Sequence, residues 1–174
     1  MSNPKRKNYR PKFPKRTLNS MLVEFKMHWK NYIFQSLAAT IATLVILVTL
    51  NMENAVVIAS IASSIFIVFT MPNAISARKR AIIGGHWIGI VLGSLWALIP
   101  QPYPFISIIV FSLAVGTTMF AMVVFDMEHP PAAGTALGVA ITGFSWNVGI
   151  AIITSTILLA IIRTVFRPHL KDLV

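Results

Sequence analysis

Cysteine is absent from the 174-residue chain, which excludes disulfide bridges, a thiol nucleophile and thiolate metal ligands. Charged residues are also scarce, at 11%, whereas 56% of the residues are hydrophobic. The charges avoid the long apolar stretches, a pattern typical of proteins that cross a membrane several times. The basic N-terminus lacks the short apolar core and cleavage site of a signal peptide. We therefore expect an all-α integral membrane protein without a signal peptide.

The formal net charge of +10 would suggest a nucleic-acid partner in a soluble protein, but the placement of the cations suggests membrane topology instead. Nine of the fifteen Lys and Arg residues precede the first apolar stretch, three lie at 78–80 and three at 163–171. They flank apolar segments, as the positive-inside rule describes. We expect no nucleic-acid partner.

Six apolar stretches are candidate membrane spans, of which the fifth is short. They cover residues 32–50, 54–71, 81–99, 105–125, 131–144 and 147–166. Fourteen residues make only about 21 Å of helix against about 30 Å of hydrocarbon, so the fifth stretch could instead be a re-entrant half-helix. Six crossings would place all fifteen cations and both termini on the cytoplasmic side of the plasma membrane. We therefore predict six crossings, the short fifth helix being shielded by its neighbours.

The segment before the first span contains a helical apolar stripe. Its members are Leu18, Leu22, Phe25, Trp29 and Tyr32. Such a stripe predicts an interfacial amphipathic helix over residues 18–31, and an extension of the first span is the alternative. Residues 1–17, with seven cations and three prolines, are predicted to be a disordered cytoplasmic tail that attracts anionic lipid. Residues 167–174 form the other cytoplasmic tail.

Small residues recur every four positions in the third and fifth spans, at Gly85, Gly89 and Gly93 and at Gly134 and Gly138. Such stripes usually permit close helix packing, so these two spans are expected to be central. His86 lies beside the first stripe, inside the third span. An ionisable group at that depth is a candidate functional residue, and a neutral imidazole bonded to a carbonyl is the structural alternative.

The stretch "DMEHPPAAGTALG" at 126–138 is a dense polar cluster beside an apolar segment. Pro130 and Pro131 suit the first positions of a helix, so the fifth span should begin there. The amides of residues 132–135 would then be free to bind a small anion or a carboxylate. Asp126, Glu128 and His129 could instead cap this helix, pair with the cations at 78–80, or serve a metal or a catalytic reaction.

Two segments resemble the HPP family of integral membrane proteins. They are "EHPPAAGTALG", with the name-giving His129, Pro130 and Pro131, and "MPNAISARKRAIIGGHWIGIVLG", which contains His86. The similarity covers roughly residues 30–165 of the chain. The resemblance implies a compact helical membrane domain of a family that occurs in bacteria and plant plastids and has been linked to nitrite transport. It strengthens the functional interpretation of His86.

These observations together favour a transporter or channel for a small monovalent anion such as nitrite. The residues expected to contact the anion are His129, Pro130, Pro131, Ala132, Ala133, Gly134, Thr135, His86, Asn73 and Arg78. We expect no catalytic residue, metal or cofactor, and we expect a homo-oligomer, since one protomer has little bulk to enclose a path. The alternatives are a membrane scaffold or sensor that oligomerises through its glycine faces, and a membrane enzyme that uses the 126–129 cluster.

Overall fold

The computed structural model describes residues 17–49 and 55–173, and these residues are helical with no β-strand among them. Predictions for residues 1–16 therefore lie outside the described part of the chain. The α-helices are α1 (Leu18–Thr49), α2 (Ala55–Thr70), α3 (Lys79–Ala97), α4 (Pro104–Val124), α5 (Pro131–Thr142) and α6 (Trp146–Phe166). Two 3₁₀ turns, Ile75–Ala77 and Arg167–His169, follow α2 and α6.

The lengths and apolar composition of the helices confirm an all-α membrane protein. Three segments are long and apolar enough to cross a bilayer: Phe25–Val48, Pro104–Val124 and Trp146–His169. Val57–Thr70 and Pro131–Thr142 are shorter apolar helices. Large apolar side chains such as Ile41, Phe120 and Ile161 are exposed on the outer faces. A bilayer would cover these faces, since lipid is as apolar as they are.

Helix α1 runs without interruption from Leu18 to Thr49. The apolar stripe predicted as a separate interfacial helix over 18–31 therefore belongs to the same helix as the first predicted span. The position of residues 18–31 relative to the membrane stays a prediction. A helix of 32 residues is about 48 Å long, more than the roughly 30 Å of bilayer hydrocarbon.

The short helix α5 lies at the centre of the fold, where it packs against α2, α3 and α4. It begins at Pro131, the position that the two prolines predict, and ends before Gly143, whose φ of 78° lies in the left-handed region that favours glycine. Most of its residues are buried, among them Ala132, Thr135 and Val139. Its neighbours therefore shield a helix only 12 residues long, as expected from the sequence.

The contact between α3 and α5 depends on the absence of side chains along one face of α3. A Cβ atom built on Gly89 would lie 2.6 Å from the carbonyl oxygen of Ala132, and one on Gly93 would lie 2.6 Å from the carbonyl oxygen of Ala136. Gly134 of α5 is less tightly enclosed, since its Cβ would lie 3.4 Å from that of Ser60 in α2. The glycine stripe of α3 thus brings two helix backbones into direct contact within one chain.

Segment 170–173 joins the end of α2 to α1. Gln35 of α1 donates to the carbonyl of Lys171 (2.9 Å) and accepts from its amide (3.2 Å), and it also donates to the carbonyl of Phe69. The amide of Leu173 donates to the carbonyl of Thr70 at 2.8 Å. The side chain of Gln35 is 1% exposed. This segment therefore satisfies a buried amide that lies far from it in the sequence.

We expect Gly89→Ala to destabilise the protein and Gly116→Ala to leave its stability unchanged or slightly higher. The added methyl group at 89 meets a backbone carbonyl that cannot turn aside, and such overpacking typically costs about 1–3 kcal/mol. Gly116 in α4 has no atom within 4 Å of the added Cβ. The thermal unfolding midpoint of the detergent-purified protein measures both effects. Equal midpoints for the two variants would contradict a tight α3–α5 contact.

Candidate functional site

His86 of α3 is buried against α2 and α5. Each of its ring nitrogens forms a hydrogen bond with a hydroxyl group. Its Nδ1 lies 2.7 Å from Oγ1 of Thr135 in α5, and its Nε2 lies 3.0 Å from Oγ of Ser64 in α2. The side chain is 1% exposed. Both nitrogens therefore have partners, and the ring ties together three helices.

His129 lies in the loop between α4 and α5, and its ring points inward to the same serine. Its Nε2 lies 2.8 Å from Oγ of Ser64, and its Nδ1 donates to the carbonyl of Ser76 at 2.7 Å. The ring centroids of His86 and His129 are 5.1 Å apart. Ser64 thus lies between two buried imidazoles. We call His86 and His129 the histidine pair.

A second serine of α2 extends the network. Oγ of Ser60 lies 2.9 Å from Oγ1 of Thr135 and 2.5 Å from the carbonyl oxygen of Pro131. Ser60, Ser64 and Thr135 are all buried. A continuous chain of hydrogen bonds therefore runs from the start of α5, through Thr135 and the histidine pair, to the carbonyl of Ser76.

Local backbone features hold His129 in this position. Asp126 has a φ of 54°, a left-handed conformation that Asp tolerates better than most residues, and the next amide, of Met127, donates to the carbonyl of Met122 at 2.8 Å. A Cβ on Gly85 would lie 2.8 Å from that of His129, so the glycine leaves room for the histidine. The turn and the glycine stripe together bring the loop against α3.

Burial lowers the pKa of His129 from its ordinary value of 6.5 to about 4, while the hydrogen bond to the carbonyl of Ser76 acts in the opposite direction. Desolvation dominates because the ring is fully covered and the neighbouring groups are neutral. His129 is therefore neutral at pH 7.

The prediction that the first amides of α5 are free to bind an anion is wrong for two of them. The amide of Ala132 donates to the carbonyl of His129 at 2.8 Å, and that of Ala133 donates to the carbonyl of Pro130 at 3.1 Å. The helix thus starts as a tight turn that satisfies its own donors. Pro130, Pro131 and Gly134 instead line a groove of about 780 Å³ between α2 and α5, together with Ser60.

Asn73 and Arg78, also predicted to contact substrate, have no hydrogen bond to either histidine. Asn73 donates to Asp172 through its backbone amide (3.1 Å) and its side chain (2.5 Å), and it accepts from Arg167 at 2.5 Å. Arg78 precedes α3 and is exposed. Asn73 therefore belongs to a contact between the α2–α3 loop and the residues after α6.

The side chains of the 126–129 cluster diverge. The Asp126 carboxylate lies 3.6 Å from the guanidinium of Arg80 on the surface, as the pairing alternative predicted, whereas His129 points inward. Glu128 has one buried carboxylate oxygen without a hydrogen bond. Within residues 17–49 and 55–173, no group of three metal-ligating side chains comes together. The three side chains therefore lie in three different environments and do not form one site.

The sequence did not identify three residues of the hydrogen-bonded chain, namely Ser60, Ser64 and Ser76. The two serines of α2 lie one turn apart in an apolar helix, a spacing of small residues that by itself indicates only close helix packing. Their hydroxyls do not merely permit packing, since each bonds to a side chain of another helix. The carbonyl of Ser76 carries no sequence signal, because every residue has one.

A family model described as the transmembrane region of HPP proteins matches residues 24–169. The comparisons with curated proteins and with solved structures gave no match. The matched region includes all the residues of the hydrogen-bonded chain.

We expect the folded protein to lose stability as the pH falls from about 6.5 to about 4. The folded state holds His129 neutral while the unfolded state takes up a proton in this window. The free energy of unfolding is therefore highest above pH 6.5 and falls progressively between pH 6.5 and about 4. The loss of unfolding free energy due to His129 would be up to about 3 kcal/mol. Unfolding midpoints across this pH range should fall less steeply for His129→Gln than for the wild type. Parallel curves would show that folding does not lower the pKa of His129.

Proposed function

Because the chain belongs to the HPP family of integral membrane proteins, we propose that it is a transporter or channel for a small monovalent anion such as nitrite. The observation that supports this most is the buried chain of hydroxyls and imidazoles between α2, α3 and α5. Polar groups inside a membrane protein are costly and generally mark a substrate or ion pathway. The family resemblance suggests nitrite as the substrate.

The anion would bind at the mouth of this chain, in the groove beside α5. Ser60 reaches both the groove and the network, and Pro131 and Gly134 leave the start of α5 without bulky side chains there. The hydroxyl of Ser60 would turn its hydrogen from the carbonyl of Pro131 to the anion, which would then bind this hydroxyl instead of the amides of Ala132 and Ala133. A short helix enclosed by its neighbours is typical of transport sites in membranes.

The proposed topology has six crossings of the plasma membrane with both termini in the cytoplasm. Helix α3, with 19 residues, is close to the required length, and the neighbours of α5 shield its 12 residues. The cations at 78–80 and 163–171 flank helix ends, as the positive-inside rule requires. We further propose a homo-oligomer, and an interaction of the basic residues 1–17 with anionic lipid.

The two rival functions have less support. A scaffold that oligomerises through its glycine faces would need those faces on the outside, whereas the stripe of α3 is occupied by α5. An enzyme that uses residues 126–129 would need the three side chains to converge on one substrate, whereas Asp126 pairs with Arg80 and His129 is turned to Ser64.

Anion flux into proteoliposomes tests the proposal, with nitrite, nitrate, chloride and formate compared. We expect saturable flux, reduced about tenfold or more by Thr135→Val, since this hydroxyl links Ser60 at the groove to His86 and a lost interaction of about 1.4 kcal/mol along the path corresponds to a factor of ten. His129→Ala should have a similar effect.

Thr154→Val is the matched control, because Thr154 is exposed on α6 and bonds to its own helix at Ile150. The same chemical change should leave flux intact there. If the folded wild type moved none of the four anions between about pH 5 and 8, where histidine changes charge, the transport proposal would fail.

A further inference from the structure

The carbonyl of Ser76 sets the direction of the hydrogen bonds around the histidine pair. A carbonyl oxygen accepts only, so His129 must carry its hydrogen on Nδ1, which leaves Nε2 as an acceptor. The hydroxyl of Ser64 at 2.8 Å is the donor in reach of Nε2. The same hydroxyl also lies 3.0 Å from the carbonyl of Ser60, but that carbonyl can accept the helical amide four residues on. Ser64 therefore donates to His129.

The tautomer of His86 follows from this. A hydroxyl has one hydrogen, and Ser64 has given its hydrogen to His129, so Ser64 accepts from Nε2 of His86. Nδ1 of His86 then accepts the hydrogen of Thr135 at 2.7 Å. The two imidazoles are thus neutral and in opposite tautomers, with all four ring nitrogens paired.

From this geometry we propose that His86, Ser64 and His129 form a binding site for a single excess proton, which arrives from the groove through Ser60 and Thr135. The proposal deepens the proposed function, on which its transport part rests: the proton would cross with the anion. An imidazolium beside a bound monovalent anion makes the occupied site neutral, which favours the presence of both inside an apolar bundle.

The proton transfers balance at every step. The hydroxyl of Ser60 first turns its hydrogen from the carbonyl of Pro131 to Oγ1 of Thr135. A proton from water in the groove then binds Oγ of Ser60 as that hydrogen passes to Thr135 and the hydrogen of Thr135 passes to Nδ1 of His86. His86 is now an imidazolium. Its Nε2 hydrogen then passes to Oγ of Ser64 as the hydrogen of Ser64 passes to Nε2 of His129. The charge has moved to His129, and His86 is neutral again with its hydrogen on Nδ1.

The surroundings restrict the site to one extra proton. The ring centroids are 5.1 Å apart, so two imidazolium charges would repel each other in a dry environment. Within the described residues, no charged side chain has a hydrogen bond or an ion pair with either ring.

The charged groups on the surrounding elements lie elsewhere. Helices α2 and α5 present hydroxyls, and Arg80 at the start of α3 pairs with Asp126. Glu128 is next to His129 in the chain without bonding to it, and Arg78 beside the 3₁₀ turn is exposed. Arg163 of α6 donates to the carbonyl of Pro72. No counter-charge is therefore fixed at the pair, so that a bound anion can supply it.

Nitrogen-15 NMR of the histidine rings tests the site without any transport. The variant His28→Gln/His169→Gln retains only the pair, since the chain has four histidines. At pH 8 we expect one ring protonated on Nδ1 and the other on Nε2. On acidification the two rings should share the first proton in a single titration step, and the second proton should not bind until the protein unfolds.

Ser64→Ala in that background should confine the first proton to one ring, so that the nitrogen shifts of that ring alone move in the first titration step, whereas Ser112→Ala should leave the proton shared. Ser112 is exposed on α4 and bonds to its own helix, so the same atom is lost without effect on the pair. Identical tautomers in the parent protein, or two independent titrations there, would overturn the proton site.

The coupling has a separate readout in proteoliposomes. With the membrane potential clamped at zero and the interior one pH unit more alkaline, one-to-one coupling drives nitrite accumulation to about tenfold, because one pH unit is a tenfold proton gradient. Protein-free vesicles correct for nitrous acid that crosses the lipid unaided. Nitrite flux that ignores the pH gradient would refute the coupling while leaving anion transport in place. No anion flux would count against the transport function, and the NMR result would then decide the proton site alone.

Discussion

The close approach of two helix backbones, α3 and α5, is the contact on which the rest of the structure depends. Residues 89 and 93 present no side chain to α5, and a single methyl group at either would collide with a carbonyl of the opposite helix, while Gly85 leaves room for the side chain of His129. Because α5 can lie so close, the ring of His86 reaches Thr135 across the same interface. The loop before α5 is drawn in with it, which brings His129 to the serine of α2.

This arrangement solves a problem that any polar group in an apolar bundle presents. An unpaired imidazole or hydroxyl buried there costs free energy, whereas a complete set of partners makes the burial tolerable. Three helices and a loop each contribute a member of the chain, so each member depends on the placement of the others. A packing defect at the glycines would therefore disturb the chemistry of the site as well as the stability of the fold.

The sequence predicted the helices well and the contacts between them poorly. The family assignment and the all-α membrane class are confirmed, because apolar length and the proline pair are local signals. The number of crossings stays a prediction. Both histidines were picked out, by depth and by motif, but Ser64 could not be, since its partners come from other helices. The amides of Ala132 and Ala133 were misjudged, because their partners depend on how the preceding loop turns.

Segment 170–173 sets an order on how the chain can assemble as it is synthesised. Gln35 leaves the ribosome long before Lys171, with which it shares two hydrogen bonds, and the five helices α2 to α6 lie between them in the sequence. The amide of Gln35 must therefore keep water or another provisional partner until translation has passed α6. Closure of the bundle at this end is a late event in biogenesis, and α1 stays free to adjust its tilt until then.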